Sequence, residues 1–467
     1  MCHACGDHYS HPLLNETVLS AASKASAVPR AAVDHREPLA IIGGTGYVGR
    51  CLAVQLVDHP TFRLGAIVGS AATIGKPFSA VFEKKEDALV EHYGAELWKP
   101  QEFPLELMRE RVVSVDEVIE RGECKAALSF IAPEHGEIED RLAAAGIKVF
   151  SISPHARFDP ANPLSVPEAN PEVLAAAVEE AAALAIIDPP AATLSLVKSP
   201  NCVTCGVVVA LKALDDAFGG VEDVSVTTFQ SLSGRGDAKY PRDVVMGNVY
   251  PLHGTVERTG EFQHRELKRM MPGVKRVSVA AYRVPTQKGH LVDVRVRFRK
   301  NFVGSARDIK AALEAFDPLK NVPLPSKPRK AIYVKPLDED AFGADDEEAG
   351  GGGVGGGNAD AGGMGAEGSG EGRGHQKRRP PPPRMGTPRP KDDCEFEDGM
   401  SICVGNIVTD DEMYDVKFCL VVNNVVRGAW GAALLNAEYW HWLTESTRRP
   451  GGTTAAPAEE GQARIEC

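Results

Sequence analysis

The chain has 467 residues, enough for two or three domains with separate cores. Charged residues make up 25% and hydrophobic ones 43%, the balance of a soluble globular protein rather than a fibrous or membrane-embedded one. The formal charge of −12 opposes nonspecific binding to nucleic acid or an anionic membrane, and no apolar run reaches the length of a membrane span. Ten cysteines stand without the spacing of a disulfide framework, and the N-terminus lacks the order of a secretory signal. A reducing, cytoplasmic setting is therefore expected. Cys2-His3-Ala4-Cys5 has a CxxC spacing but no second ligand pair, so no metal site is expected.

In chain order, residues 1–36 show no sustained period and read as a disordered tail. Leu39–Ile42 is a short apolar run ending in glycines, and Tyr47–Val57 then carries apolar residues at helical spacing. Strand patterns follow at Leu64–Val68, Ala126–Ile131, Val149–Ile152 and Ala192–Val197, with a helix at Ile138–Ala145. Strands alternating with helices predict an α/β fold with a parallel, doubly wound sheet over residues 37–200. A long apolar helix begins near Cys205. Beyond it the alternation stops. His290–Phe298 places Val292, Val294, Val296 and Phe298 on one face and Asp293, Arg295 and Arg297 on the other. That period of two, with strand patterns at Val224–Phe229 and Val277–Val284 and a helix at Ala306–Phe316, predicts an α+β second domain over 201–427 with a mostly antiparallel sheet. Residues 338–398 are rich in Gly, Ala, Asp and Glu, then in Arg and Pro, and read as a disordered insertion within that domain. Strand patterns return at Ser401–Val408 and Val416–Val422; a helix near 428–445 completes the first domain, and 448–467 reads as a second tail.

Two motifs carry chemistry. Gly43-Gly44-Thr45-Gly46-Tyr47-Val48-Gly49 lies between a strand and a helix, where glycines let a backbone approach a pyrophosphate at a helix N-terminus. Gly43, Thr45, Gly46, Tyr47, Val48 and Gly49 are the candidate cofactor contacts. The second strand ends in Val68-Gly69-Ser70-Ala71-Ala72-Thr73-Ile74-Gly75-Lys76, with Ser70 and Thr73 as hydroxyls, one lysine and no acid. That leans towards NADP, because an acid there would bind a ribose hydroxyl and repel a 2′-phosphate; a polar loop with Lys76 in solvent is the other reading. In Ser199-Pro200-Asn201-Cys202-Val203-Thr204 the cysteine sits where a strand breaks and a helix begins. The positive end of a helix favours thiolate, the nucleophilic form. A buried inert cysteine is the alternative. Gln230, Arg283 and His290 each interrupt or open an apolar strand, and each is weak alone.

Taken in order, Gly43–Gly49, Ser199-Pro200-Asn201-Cys202, Phe229-Gln230-Ser231-Leu232-Ser233-Gly234, Arg283-Val284-Pro285 and Gly289-His290 resemble the aspartate-semialdehyde dehydrogenase family. Pro163-Leu164 with Val166-Pro167-Glu168-Ala169-Asn170, and Asn424-Val425-Val426-Arg427-Gly428-Ala429, are similar to its archaeal and fungal branch. The resemblance covers roughly 37–336 and 400–445. It implies a Rossmann-type first domain, a catalytic and dimerisation domain, and a homodimer or homotetramer. It also implies reversible conversion of L-aspartyl 4-phosphate and NADPH into L-aspartate 4-semialdehyde, phosphate and NADP, on the route to lysine, threonine and methionine. Cys202 would be the nucleophile that forms a thioacyl enzyme, and His290 the acid/base. Gln230 would orient the acyl group, and Arg283 would bind the substrate carboxylate. Asn201, Glu257 and Arg258 would help hold substrate or phosphate, and Asn424 would contact the nicotinamide side. The chain departs from the family pattern at Val203, Cys205, Thr255, Ala72, Trp430 and Ser151-Ile152-Ser153. The alternatives are an N-acyl-γ-glutamyl-phosphate reductase-like enzyme, whose cysteine loop reads C-Y-P-T where this chain has Cys202-Val203-Thr204-Cys205, and a catalytically weak binding or regulatory relative.

Overall fold

The computed structural model describes residues 34–187, 196–252, 258–337, 386–409 and 412–448. The two expected tails, bar a few flanking residues, the Cys2–Cys5 spacing and residues 338–385 lie outside the described residues. The first sheet is built from β1 (Glu37–Ile42), β2 (Phe62–Val68), β3 (Val112–Val113), β4 (Ala126–Ser129), β5 (Lys148–Ser151) and β6 (Leu196–Lys198). All are parallel, in the order β3-β2-β1-β4-β5-β6. Its strands are apolar on both faces, and both faces are covered. Leu39, Ile41, Leu128 and Phe150 pack with α1 (Tyr47–Gln55), α2 (Phe78–Tyr93) and the C-terminal helix Gly431–Arg448, whereas Ala40, Ile42, Ala127 and Val149 pack with α3 (Val115–Arg121) and α4 (Glu137–Ala144). The doubly wound expectation holds. A further helix, α5 (Pro171–Ile187), lies against the C-terminal helix.

A second sheet has seven strands: β7 (Val221–Gln230), β8 (Tyr250–Pro251), β9 (Arg276–Arg283), β10 (His290–Phe298), β11 (Ile332–Val334), β12 (Ile402–Val408) and β13 (Val416–Val422). Their order is β11-β12-β13-β10-β7-β9-β8, antiparallel except for β11·β12 and β7·β9. Val292, Val294, Val296 and Phe298 face a core shared with α6 (Cys202–Ala217), α8 (Thr259–Met270) and α9 (Ala306–Ala315), as the period of two predicts. A four-residue turn of helix, α7 (Arg242–Val245), precedes β8. The parallel β7 and β9 finish at Gln230 and Arg283, while the antiparallel β10 starts at His290. Strand direction alone therefore delivers all three polar residues to one end of the sheet.

One expectation is corrected. Residues 386–398, read as part of the disordered insertion, are built onto the second sheet. Asn406 N–H donates to Gly386 O, Lys335 pairs with the buried Asp393 at 2.5 Å, and Phe396 stacks on Tyr333. Composition misleads here because Cys394 and Phe396 find an apolar patch, Cys403 and Val421, that only the sheet creates.

The first sheet also buries charge. Ser129, Ser151 and Lys198 lie side by side at the ends of β4, β5 and β6. Lys198 Nζ donates to Glu139 at 2.5 Å and to Ser151 Oγ at 3.0 Å, and both serine hydroxyls donate to Glu139 at 2.6 Å. Removing one partner of such a pair strands the other's charge. Lys198→Met is expected to cost roughly 3–5 kcal/mol in urea unfolding, and adding Glu139→Leu to recover most of it. An unchanged unfolding midpoint in the single variant would show that the pair holds nothing.

Candidate active site

The loop Ser199–Asn201 leads from β6 straight into α6, whose first residue is Cys202 rather than the later start expected near Cys205. Asn201 is the N-cap: its Oδ1 accepts from Val203 N–H at 3.0 Å and from Gln263 Nε2 at 3.0 Å. Its own N–H donates to Glu266 Oε2 at 2.9 Å, which also takes the Thr204 hydroxyl at 2.6 Å. Arg157 neutralises the same carboxylate from its other oxygen at 2.7 Å, with both groups buried. Gln263 and Glu266 stand three apart on α8 and so share a face. Neither was foreseen, although polar residues on the buried stripe of an otherwise amphipathic helix are a usable signal. Behind the cysteine, a Cβ on Gly428 would come within 2.6 Å of Cys202 Cβ, so the turn Val426–Trp430 can close on the helix start only with glycine there.

His290 meets this helix start from the second sheet. Its Nε2 lies 3.2 Å from Cys202 Sγ, and its Nδ1 lies 3.0 Å from Ser231 N–H and 3.2 Å from Ser231 Oγ. The imidazole is fully buried, and burial, followed by the Arg283 cation, holds its pKa well below 6.5. Cys202 keeps a partly accessible side chain in a dense protein surround. Burial pushes its thiol up to about 11, Arg283 pulls down and Glu266 pushes up again. Burial thus opposes the thiolate expected at the helix start, while nearby N–H groups such as that of Val203 favour it.

Gln230 and Arg283 are paired across β7 and β9, and both are buried. Gln230 Nε2 donates to Thr228 Oγ1 at 3.0 Å, and Arg283 Nη1 to Ser231 O at 2.7 Å. Gly234 lies against both the Arg283 guanidinium and the His290 ring. Thus Cys202, Asn201, His290, Gln230 and Arg283 come together. Arg258 does not join them: it is exposed and paired with Glu261 through its side chain. Glu257 and Thr255 lie outside the described residues.

The glycine turn is built as its spacing predicts. Gly43 takes a φ of 73°, and a Cβ on Gly49 would fall 2.6 Å from Gly43 O, which keeps helix and strand in close contact. Gly46 caps α1 with no side-chain hydrogen bond to its first N–H groups. This cradle fits a pyrophosphate. Thr45 and Tyr47 are buried and Val48 half-buried; Tyr47 rests edge-on against Trp98, and Thr45 O accepts from Arg50. Ser70 is exposed; Thr73, half-buried, folds back to bond Ser70 O, and Arg111 donates to Gly75 O beside them. Arg50, buried on α1, holds Glu86 at 2.7 Å and Asp237 at 3.2 Å, which ties the glycine-turn helix to the chain just beyond Gln230. Asn424, expected at the nicotinamide, is enclosed: Oδ1 accepts from Gly289 N–H and Ser231 O–H, and Nδ2 donates to Ser233 Oγ. Among the described residues no helix is long and apolar enough to cross a membrane.

Comparison with known proteins agrees with this arrangement. Residues 38–177 match the family model "Semialdehyde dehydrogenase, NAD binding domain", and residues 211–342 match "Semialdehyde dehydrogenase, dimerisation domain". The aspartate-semialdehyde dehydrogenase of Schizosaccharomyces pombe is 27% identical over 85% of this chain and 96% of its own length. That of Archaeoglobus fulgidus is 29% identical over 86% and 97%. The solved Candida albicans aspartate-semialdehyde dehydrogenase with NADP superposes with a TM-score of 0.66 over 88% of this chain and 99% of its own, at 22% identity. A nicotinamide-binding parallel sheet, a dimerisation module and relatives matched nearly end to end leave one assignment: the chain belongs to the aspartate-semialdehyde dehydrogenase family of oxidoreductases.

Proposed function

We propose that the protein is an NADP-dependent, phosphorylating aspartate-semialdehyde dehydrogenase that works through a Cys202 thioester. The observation that carries this is the 3.2 Å approach of Cys202 Sγ to His290 Nε2, with Gln230 and Arg283 at the same sheet end. Attack of sulfur on an acyl phosphate expels phosphate and leaves a thioester, an activated acyl group. The nicotinamide cofactor, held over Gly43–Gly49, would supply the hydride that reduces it. Arg283 offers a planar cation suited to the substrate's carboxylate, Gln230 an amide for the acyl oxygen, and Asn201 a polar group beside the departing phosphate. His290 presents a ring nitrogen to the sulfur and to the acyl oxygen, which gains negative charge as its carbon becomes tetrahedral. The choice of NADP is favoured by Ser70, Thr73, Lys76 and Arg111 around the end of β2, whose following stretch Gly69–Lys76 contains no acid. The dimerisation module supports a homodimer or homotetramer, and the reaction would serve lysine, threonine and methionine synthesis in the cytoplasm.

Purified protein given semialdehyde, phosphate and NADP is expected to reduce the cofactor, and Cys202→Ala to abolish this; turnover surviving the substitution refutes the thioester route. NADP is expected to saturate at lower concentration than NAD, with Arg111→Ala raising KM for NADP alone. A matching rise for NAD would place Arg111 away from the 2′-phosphate. Because burial holds the thiol at about 11, alkylation of Cys202 by iodoacetamide should accelerate about tenfold per pH unit from neutrality towards that value. A flat rate across that range would mean that the thiolate is already formed at neutral pH.

A further inference from the structure

A cavity of about 280 Å³ lies where three separate parts of the chain meet, and no step of the proposed reaction uses it. Helix α1 contributes Tyr47 and the turn after β13 contributes Trp430; Lys288, Glu395 and Asp398 come from the loop before β10 and the arm 386–398. The volume is just below the roughly 300–1,000 Å³ of sites for drug-sized ligands, which suits a smaller metabolite. Two carboxylates, Glu395 and Asp398, stand against one ammonium, Lys288, so the wall carries net negative charge. Lys288 Nζ and Glu395 Oε1 pair at 2.6 Å, with side chains 44% and 50% exposed. Asp398 is exposed and has no ion-pair partner among the described residues. Glu397 and Asp398 hold φ of 49° and 54°, left-handed values that cost free energy and cluster at ligand clamps. Gln101, also in the wall, donates from Nε2 to Cys51 Sγ at 3.1 Å, and its buried Oε1 has no hydrogen-bond partner among the described residues. Burial dominates the raised pKa values of Tyr47 and Cys51, yet Glu395 adds to the first and Lys288 opposes the second, so both charges reach α1.

These features select a ligand. Among the described residues no three metal-ligating side chains converge, so the cation that two carboxylates attract is organic. We infer that the cavity is a binding site for a basic α-amino acid, which carries one carboxylate, two cationic groups and a net positive charge. Lys288 and Glu395 are both partly accessible, so a zwitterion can join their pair head to tail. Its α-carboxylate accepts from Lys288, and its α-ammonium donates to Glu395. The second cation then meets Asp398, while the aliphatic stem lies against Trp430, whose indole face attracts a neighbouring cation. Gln101 Oε1 is a further acceptor. A neutral zwitterion would leave Asp398 unanswered, and a plain diamine would bring no anion to Lys288. A second cavity of about 270 Å³ shares Gln55, Asp398 and Trp430, which extends the space beside Asp398 for a long side chain. The site is also tied to its surroundings. Tyr47 belongs to the glycine turn, and Lys288 stands two residues before His290. Asn423, beside Asn424, donates to Cys394 O of the same arm. Occupancy and cofactor binding are therefore coupled, and by linkage each ligand alters the other's affinity by the same factor.

Calorimetric titration of the full chain with L-lysine tests this. Saturable binding with Kd below about 1 mM is expected. L-Norleucine lacks only the ε-ammonium and cadaverine only the carboxylate; each should bind at least about tenfold more weakly. Asp398→Asn should weaken L-lysine at least about tenfold and leave L-norleucine unchanged; asparagine accepts the left-handed backbone, so the fold is preserved. Lys288→Gln removes an exposed ion pair of little stabilising value and should weaken L-lysine and L-norleucine, but not cadaverine. Absence of saturable L-lysine binding up to about 10 mM would overturn the inference. Equal affinity for L-lysine and L-norleucine would overturn the ligand class. Binding of L-lysine that ignores Asp398→Asn would put it elsewhere on the protein and overturn the site. With NADP present, Kd for L-lysine should change at least about twofold, and an unchanged value would overturn the coupling. Every readout is binding. Loss of turnover in the unsubstituted protein would defeat the proposed function and leave this test intact.

Discussion

The contact between Cys202 Sγ and His290 Nε2 joins two segments 88 positions apart, and the surrounding architecture holds it at 3.2 Å. From one side, Glu266 gathers Asn201 N–H, Thr204 and Arg157 into a buried network that fixes the start of α6. From the other, Ser231 and Asn424 fix the ring through backbone groups of Ser231 and Gly289. Gly428 closes the back of the site by leaving room for the cysteine's own Cβ. Removing Glu266 or Asn424 would strand several buried donors at once, and each buried donor without a partner costs more than an ordinary contact contributes.

Burial has opposite uses at the two reacting groups. It raises the thiol and lowers the imidazole, and both shifts favour the uncharged forms. An uncharged pair is inexpensive to enclose, whereas an ion pair at the same place would need further partners. Arg283 is the permanent cation beside them. It holds Ser231 O and sits over the Tyr240 ring. The site therefore keeps a fixed positive charge beside the ring and the sulfur.

The two sheets are linked through charge as well as through chain. Arg50, one residue beyond the glycine turn, reaches Glu86 on its own side and Asp237 on the segment that follows Gln230. Lys85 joins at 2.8 Å. Any ligand that settles at the N-terminus of α1 thus lies one helical turn from a strut to the residues that hold His290. The return arm 386–398 is tied to the end of the second sheet beside Asn424, because Asn423 donates to Cys394 O.

Much of this was written in local pattern. Val292 to Phe298 alternate because one face of β10 meets a core and the other does not, and β10 begins and ends where that period does. The glycine turn and the Ser-Pro-Asn-Cys loop are equally local, since each needs only its neighbours to form. Helix α8 was not read, because its buried stripe contains Gln263 and Glu266, whose polarity breaks the apolar period. Their partners, Asn201 and Thr204, come from a distant part of the chain. Arg258 shows the converse: its charge suits a substrate site, but its place at the exposed start of α8 turns it towards Glu261. The sequence by itself determined the kinds of element, the nucleotide-binding turn and a cysteine at a helix start. Only tertiary structure decided how far burial opposes the thiolate, which ring nitrogen faces the sulfur and which neighbours hold it there. Those properties follow from desolvation and hydrogen-bond direction, and both depend on groups brought together from distant parts of the chain.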